Sequence, residues 1–109
     1  MSTLLSAFSA LSEPTRFALV EQLMAQGELA AGDLVHGKGM SGAAVSRHLK
    51  VLREAGLIRQ RVHGTQRMYS IRPEGLRAIA DWTISKRQFW ESSLDRLSDI
   101  IEKETSWPT

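Results

Sequence analysis

The chain of 109 residues contains no cysteine. That absence excludes a disulfide framework, a thiolate metal site, a cysteine nucleophile and a thiol redox sensor. Long apolar runs are also missing, so no transmembrane helix is expected. The opening Met1-Ser2-Thr3-Leu4-Leu5 lacks a basic stretch followed by a long apolar one. No signal peptide is therefore expected, and the expected compartment is the cytoplasm. Internal repeats and low-complexity segments are absent as well. What remains is a 12.2 kDa chain, enough for one domain around one core. Its 42% hydrophobic and 24% charged residues are ordinary for a soluble globular protein.

The charge is unevenly placed. Residues 41–80 hold eight basic side chains (Arg47, Lys50, Arg53, Arg59, Arg61, Arg67, Arg72, Arg77) and two acids (Glu54, Glu74), a net of +6. The remainder nets −4, against +2 for the whole chain. A basic middle between acidic ends points to a localised surface for a polyanion, with nucleic acid the first candidate.

Apolar spacing predicts mostly helix. Leu4, Phe8 and Leu11 recur at four and three residues, a short amphipathic helix. Ser12-Glu13-Pro14 ends it and opens another, with Ser12 the expected N-cap and Pro14 in the first turn. That second helix is expected to carry Phe17, Val20, Leu23 and Met24 on one side and to run to Gly27. A brief third helix over 30–36 ends in Gly37-Lys38-Gly39. Ser41 is the expected N-cap of a fourth helix, with Gly56 closing it. There Val45, Leu49 and Leu52 share one face, with His48 at its edge, and Ala43, Ser46, Arg47, Lys50 and Glu54 point away.

The period then shortens. Residues 57–63 and 66–71 read as two strands around Gly64-Thr65, and glycine first in a two-residue connection suits a type II′ turn. Pro73-Glu74 opens a last helix expected to continue to Glu104, about 45 Å at 1.5 Å per residue. Its Trp90, Leu94, Leu97 and Ile101 alternate spacings of four and three, the seam of paired helices. A stripe that long needs a partner, and a second copy of the chain is the simplest.

The expected fold class is mainly α (α+β). It is a single winged helix-turn-helix domain over 1–109, with the helix-turn-helix at about 29–56, a two-stranded wing at about 57–72 and a dimerisation helix at about 73–104. A helix over 41–55 would enter the major groove, where base pairs are distinguishable. The residues expected on DNA are Ser41, Gly42, Ala43, Ser46, Arg47, Lys50 and Arg53 from that helix, and Arg61, His63, Gly64, Thr65 and Arg67 from the wing. Small residues at the helix start let its backbone approach. Arg47 can offer guanine two donors, and Lys50 and Arg53 can neutralise phosphates. The expected dimer face is Leu4, Phe8, Leu11, Ile79, Trp82, Thr83, Trp90, Leu94, Leu97 and Ile101.

Three stretches carry a family resemblance: Ser12-Glu13-Pro14-Thr15-Arg16, the run Ala44-Val45-Ser46-Arg47-His48-Leu49-Lys50-Val51-Leu52-Arg53-Glu54-Ala55-Gly56-Leu57, and Arg61-Val62-His63-Gly64 with Tyr69. Together they resemble the ArsR/SmtB winged-helix repressors over nearly the whole chain. The resemblance implies a homodimer formed by the first and last helices, an operator of two inverted half-sites, and release by an inducer.

Two departures stand out. Members that bind metal through Cys-x-Cys in the third helix have cysteines where this chain has Ala30 and Gly32, and the last helix lacks the histidine other members use for zinc. Neither site carries over, so no metal and no cofactor is expected. Members often have Gln-Ser where this chain has Gly42-Ala43, which leaves a thymine-methyl contact through Ala43 as the direct readout there. The run from Ser85 to Leu97 also looks like a metal-independent subset with a longer last helix, often encoded beside small hydrophobic-ligand-binding proteins.

The expected partners are double-stranded DNA bearing an inverted repeat, a second copy of the chain, and an unidentified small-molecule effector; no membrane is among them. The alternatives are a protein-interaction module that uses the winged helix as scaffold, and a small-molecule-responsive regulator with a pocket near Trp82, Phe89 and Trp90. Glu91, Asp95, Asp99 and Glu102 form an acidic ladder, read as a solvated face paired with Arg87 and Arg96. His48 reads as structural, and no motif supports an enzyme.

Overall fold

The computed structural model describes residues 3–105. Its elements run α1 (Thr3–Leu11), α2 (Pro14–Gln26), β1 (Leu29–Ala30), α3 (Ala31–Val35), α4 (Gly42–Glu54), β2 (Ile58–His63), β3 (Gln66–Ile71), α5 (Pro73–Ser85) and α6 (Arg87–Thr105). Two compact units emerge, one through Ile79 and one from Ala80 onward.

In the first unit the caps decide where helices begin. Ser12 does not cap α2: its hydroxyl donates to the Ser9 carbonyl at 2.7 Å and closes α1. Glu13 takes the cap, its carboxylate accepting the Arg16 amide at 2.8 Å, with Pro14 in the first turn, where its missing N–H costs nothing. Ser41 caps α4 as expected, accepting the Ala44 amide at 3.1 Å. The other end of α4 is a Schellman motif. Ala55 is the C-cap, one residue before the expected Gly56; the Gly56 and Leu57 amides donate back to Arg53 and Leu52. Gly56 takes φ +77°, a backbone state that side chains disfavour.

The core gathers Ala7, Ala10, Leu19, Val20, Leu23, Leu34, Val45, Leu49, Leu52, Leu57, Ile58 and Tyr69. Val45, Leu49 and Leu52 are the expected inner face of α4. One expectation fails nearby. The inner face of α1 is Ala7 and Ala10, and Phe8, expected at a dimer face, is exposed. The inner face of α2 is Leu19, Val20 and Leu23, with Phe17 and Met24 left outside. Of the expected apolar side of α2, Val20 and Leu23 turn inward and Phe17 and Met24 do not.

The wing is the expected hairpin. His63 pairs with Gln66 across Gly64-Thr65, and Gly64 has φ +63° while among the described residues only glycines take a positive φ, the sign pattern of a type II′ turn. The sheet has a third strand that the sequence reading lacked. Leu29 and Ala30 pair antiparallel with Tyr69 and Met68, giving the order β1-β3-β2. A two-residue strand has no period of its own and exists only through its partner.

The expected continuous last helix is interrupted at Lys86. The Ser85 hydroxyl donates to the Trp82 carbonyl at 2.9 Å, and the Lys86 amide is shared between the carbonyls of Trp82 and Thr83, both at 3.2 Å. A side-chain donor three residues on competes with the helical ladder, and α5 ends there. In the second unit, α6 leaves Phe89, Trp90, Leu94, Leu97, Ile100 and Ile101 exposed. The Phe89 and Trp90 rings meet edge to face at 5.1 Å. Arg87 pairs with Glu91 at 2.8 Å, as the charge ladder suggested, whereas Arg96 reaches the Ser93 hydroxyl at 3.4 Å. No helix among the described residues is long and apolar enough to cross a membrane.

Candidate nucleic-acid interface

With its apolar face buried, α4 has no choice about what it shows outside: Ser46, Arg47, Lys50 and Arg53 are exposed, and Gly42 and Ala43 lie bare at its start. The strand β3 and the start of α3, which pack against each other, bound this outer face further. The result is an open groove of about 790 Å³. Ser46, Arg47, Lys50 and Arg53 form one wall, Ala30, Ala31, Gly32 and Asp33 another, and Thr65 through Tyr69 the third.

The groove is cationic. Arg47, Lys50, Arg53 and Arg67 line it against the single acid Asp33. That carboxylate is already engaged, accepting the Ala30 amide at 3.3 Å at the start of α3. Among the described residues Arg47, Arg53 and Arg67 have no carboxylate partner, and Lys50 approaches Glu54 only to 3.9 Å with both side chains in solvent. Such a pair contributes little and yields readily to a phosphate.

Of the residues expected on DNA, six share this groove: Ser46, Arg47, Lys50, Arg53, Thr65 and Arg67. Ser41, Gly42 and Ala43 sit exposed at the start of α4, and His63 and Gly64 sit exposed at the hairpin tip. Arg61 differs. Its guanidinium grips Glu28 through two hydrogen bonds of 2.6 and 2.7 Å, reaching across β3 to the residue before β1. This contact holds the Glu28 carboxyl below its ordinary range and in return raises Arg61. Gln66 and Met68 were missed as groove residues. Nothing in the sequence tells which wing strand lines the groove, although Gln66 lies beside the expected Thr65 and Arg67.

Of the residues expected at a dimer face, Leu11 and Ile79 pack against the chain's own core, and Leu4 is half-buried. Phe8, Trp82, Thr83, Trp90, Leu94, Leu97 and Ile101 are exposed.

Beneath the groove, His48 meets the junction of α1 and α2. Its Nδ1 lies 3.6 Å from a Glu13 carboxylate oxygen and 3.5 Å from an Arg16 guanidinium nitrogen. The Arg16 amide, more than the His48 ring, holds the Glu13 carboxyl below its ordinary value against desolvation. Ala30 and Gly32 carry no metal-ligating side chain, and no group of three or more His, Asp or Glu that could hold a metal ion occurs among the described residues.

A helix with a cationic outer face, entered by small residues and flanked by a two-stranded wing, defines the winged helix-turn-helix class of DNA-binding proteins. Comparisons with known proteins agree. A profile described as a helix-turn-helix domain matches residues 11–61. The HTH-type transcriptional regulator Rv2034 of Mycobacterium tuberculosis is 41% identical over 98 residues, spanning 90% of this chain and 88% of its own. Among solved structures, the ArsR family transcriptional regulator RHA00566 matches with a TM-score of 0.74 at 29% identity, over 83% of this chain and 92% of its own. The homodimeric winged helix-turn-helix DNA-binding domain of Mb0332 from Mycobacterium bovis matches with a TM-score of 0.63 at 26% identity, over 83% of both chains. The chain belongs to the ArsR family of winged helix-turn-helix transcriptional regulators.

Proposed function

We propose that this chain is a homodimeric, cytoplasmic repressor that binds an inverted-repeat operator. Each protomer lays the helix over 41–55 in a major groove and its wing over the flanking backbone. The observation that carries this reading is the set of cations Arg47, Lys50, Arg53 and Arg67 around one groove whose only acid is tied to a backbone amide. A protein-docking surface on α4 would instead present apolar or acidic side chains there. The apolar face of α6, with Trp90, Leu94, Leu97 and Ile101 in solvent, supports a second copy as partner. A transition metal is not the inducer in this reading, since the residues at the family's cysteine positions cannot ligate one; a small organic effector takes that part.

Footprinting of the purified protein on the DNA upstream of its own coding region, followed by titration at several salt concentrations, tests the proposal. Two symmetric protected half-sites are expected. With about six to ten phosphates neutralised, log K should fall against log salt with a slope of about −5 to −9. Equal affinity for every duplex at physiological salt, or a flat salt response, would overturn it, as would operator release by zinc alone.

A further inference from the structure

Arg16 makes more contacts than any fold requirement of α2 demands. Its Nε donates to the Ala10 carbonyl at 2.7 Å, and a terminal nitrogen approaches the Ser9 carbonyl at 3.4 Å. These are carbonyls of the last turn of α1, the helix end that attracts a cation, and the Ser9 carbonyl also accepts the Ser12 amide and hydroxyl. The other terminal nitrogen lies 3.5 Å from His48 Nδ1, in the middle of α4. Glu13 caps the first turn of α2 and places an oxygen 3.6 Å from the same Nδ1. Arg16 therefore joins the end of α1 to one imidazole nitrogen of α4. If Nδ1 carries no proton it accepts from Arg16 at 3.5 Å; if it carries one, it faces the Glu13 carboxylate at 3.6 Å, a charge contact beyond hydrogen-bond range. In either tautomer a complementary group faces Nδ1.

His48 is flanked by Arg47 on the outer face of α4 and Leu49 in the core. The helix at the far side of the junction, α1, turns Leu5 and Phe8 outward. We infer that Glu13, Arg16 and His48 form a positioning junction that fixes α4 at a set angle to α1. The two recognition helices of a dimer are thereby held at one separation. This rests on the operator-binding reading above. None of the three side chains has to touch DNA. Their contribution is to the second half-site: once one protomer is bound, a rigid junction keeps its partner's helix in register, and the effective concentration for the second contact is high.

The test compares His48→Ala and His48→Gln with the native chain on a single half-site, on the full operator, and on operators with one base pair inserted or removed between half-sites. His48→Ala should bind a half-site normally and lose about tenfold or more on the full operator. It should also discriminate less among spacings. His48→Gln, whose amide can serve either neighbour, should recover most of the loss. Equal losses on half-site and full operator, or no loss on either, would overturn the inference. A DNA-free measurement separates this from failure of the operator reading. With no native cysteine, Ala43→Cys supplies one spin-label site per protomer. A narrow inter-protomer distance distribution that broadens on adding His48→Ala supports the junction even if no operator is found. An unchanged width overturns it.

Discussion

Gly75 rests directly on the backbone of Gly56. A Cβ at Gly75 would fall inside the Gly56 carbonyl oxygen, and would stand 2.8 Å from the Gly56 carbonyl carbon and 3.1 Å from the Leu57 Cα. Gly75 is in the first turn of α5 and Gly56 ends α4, so this contact sets how the two helices frame the base of the wing. The Arg72 amide donates to the Leu57 carbonyl at 2.9 Å in the same place.

Gly75→Ala should therefore destabilise the protein. In an open helix the change would help by about 1 kcal/mol. Here the obstacle is backbone, locked by the Schellman motif, and cannot rotate away. Overpacking of this kind costs about 1–3 kcal/mol. Urea unfolding followed by circular dichroism measures the difference, and equal or higher stability of the variant would show that α5 can shift.

Arg47, Arg61 and Glu28 should separate base reading from phosphate contact. Arg47→Ala is expected to relax preference at particular base pairs by about 1–3 kcal/mol. Arg61→Ala should weaken all duplexes alike and reduce the magnitude of the salt slope by about 1. Glu28→Gln removes the anion that holds Arg61 and should raise affinity for any duplex. Titrations of the three variants against operator and random DNA check this; weaker random-DNA binding by Glu28→Gln would make Arg61 a strut for the wing rather than a phosphate contact.

Removal of residues from Arg87 onward should abolish dimerisation and leave the first unit folded. Among the described residues every buried core side chain lies at or before Tyr69. Burying a side chain the size of leucine stabilises by about 1.5–3 kcal/mol, so Trp90, Leu94, Leu97 and Ile101 from each chain together can offset the entropy of association. Sedimentation velocity at micromolar concentration, with circular dichroism of the truncated chain, reports both. A truncated chain that still dimerises would assign the interface elsewhere.

Acid should loosen the α1–α2 junction and the wing. The carboxyls of Glu13 and Glu28 are held below the ordinary 4.5 in the folded state. Their contribution is complete above that ordinary value and is lost as pH falls through the lower folded values. Thermal melts between pH 3 and 7 should show Tm falling below about 4.5, with a shallower fall for Glu13→Gln and Glu28→Gln. Identical acid slopes in variant and native protein would remove these two groups from the explanation.

Local chemistry determined a good deal of this protein. Ser41 before an apolar-periodic run, Pro14 at a helix start, and Gly64 first in a two-residue turn each admit few backbone states, so the winged helix-turn-helix and the outward cations of α4 could be read directly. Tertiary structure decided what depends on distance between segments. Leu29 and Ala30 became a strand because Tyr69 and Met68 lay alongside them. Ala7 and Ala10 became the core face of α1, which is settled by what the helix packs against and not by its own spacing. Arg61 found Glu28, and Arg16 found His48, across 33 and 32 residues of chain. An exposed cation in sequence carries no mark of its partner, because an ion pair needs only spatial proximity, and proximity is a property of the packed core rather than of the neighbouring residues.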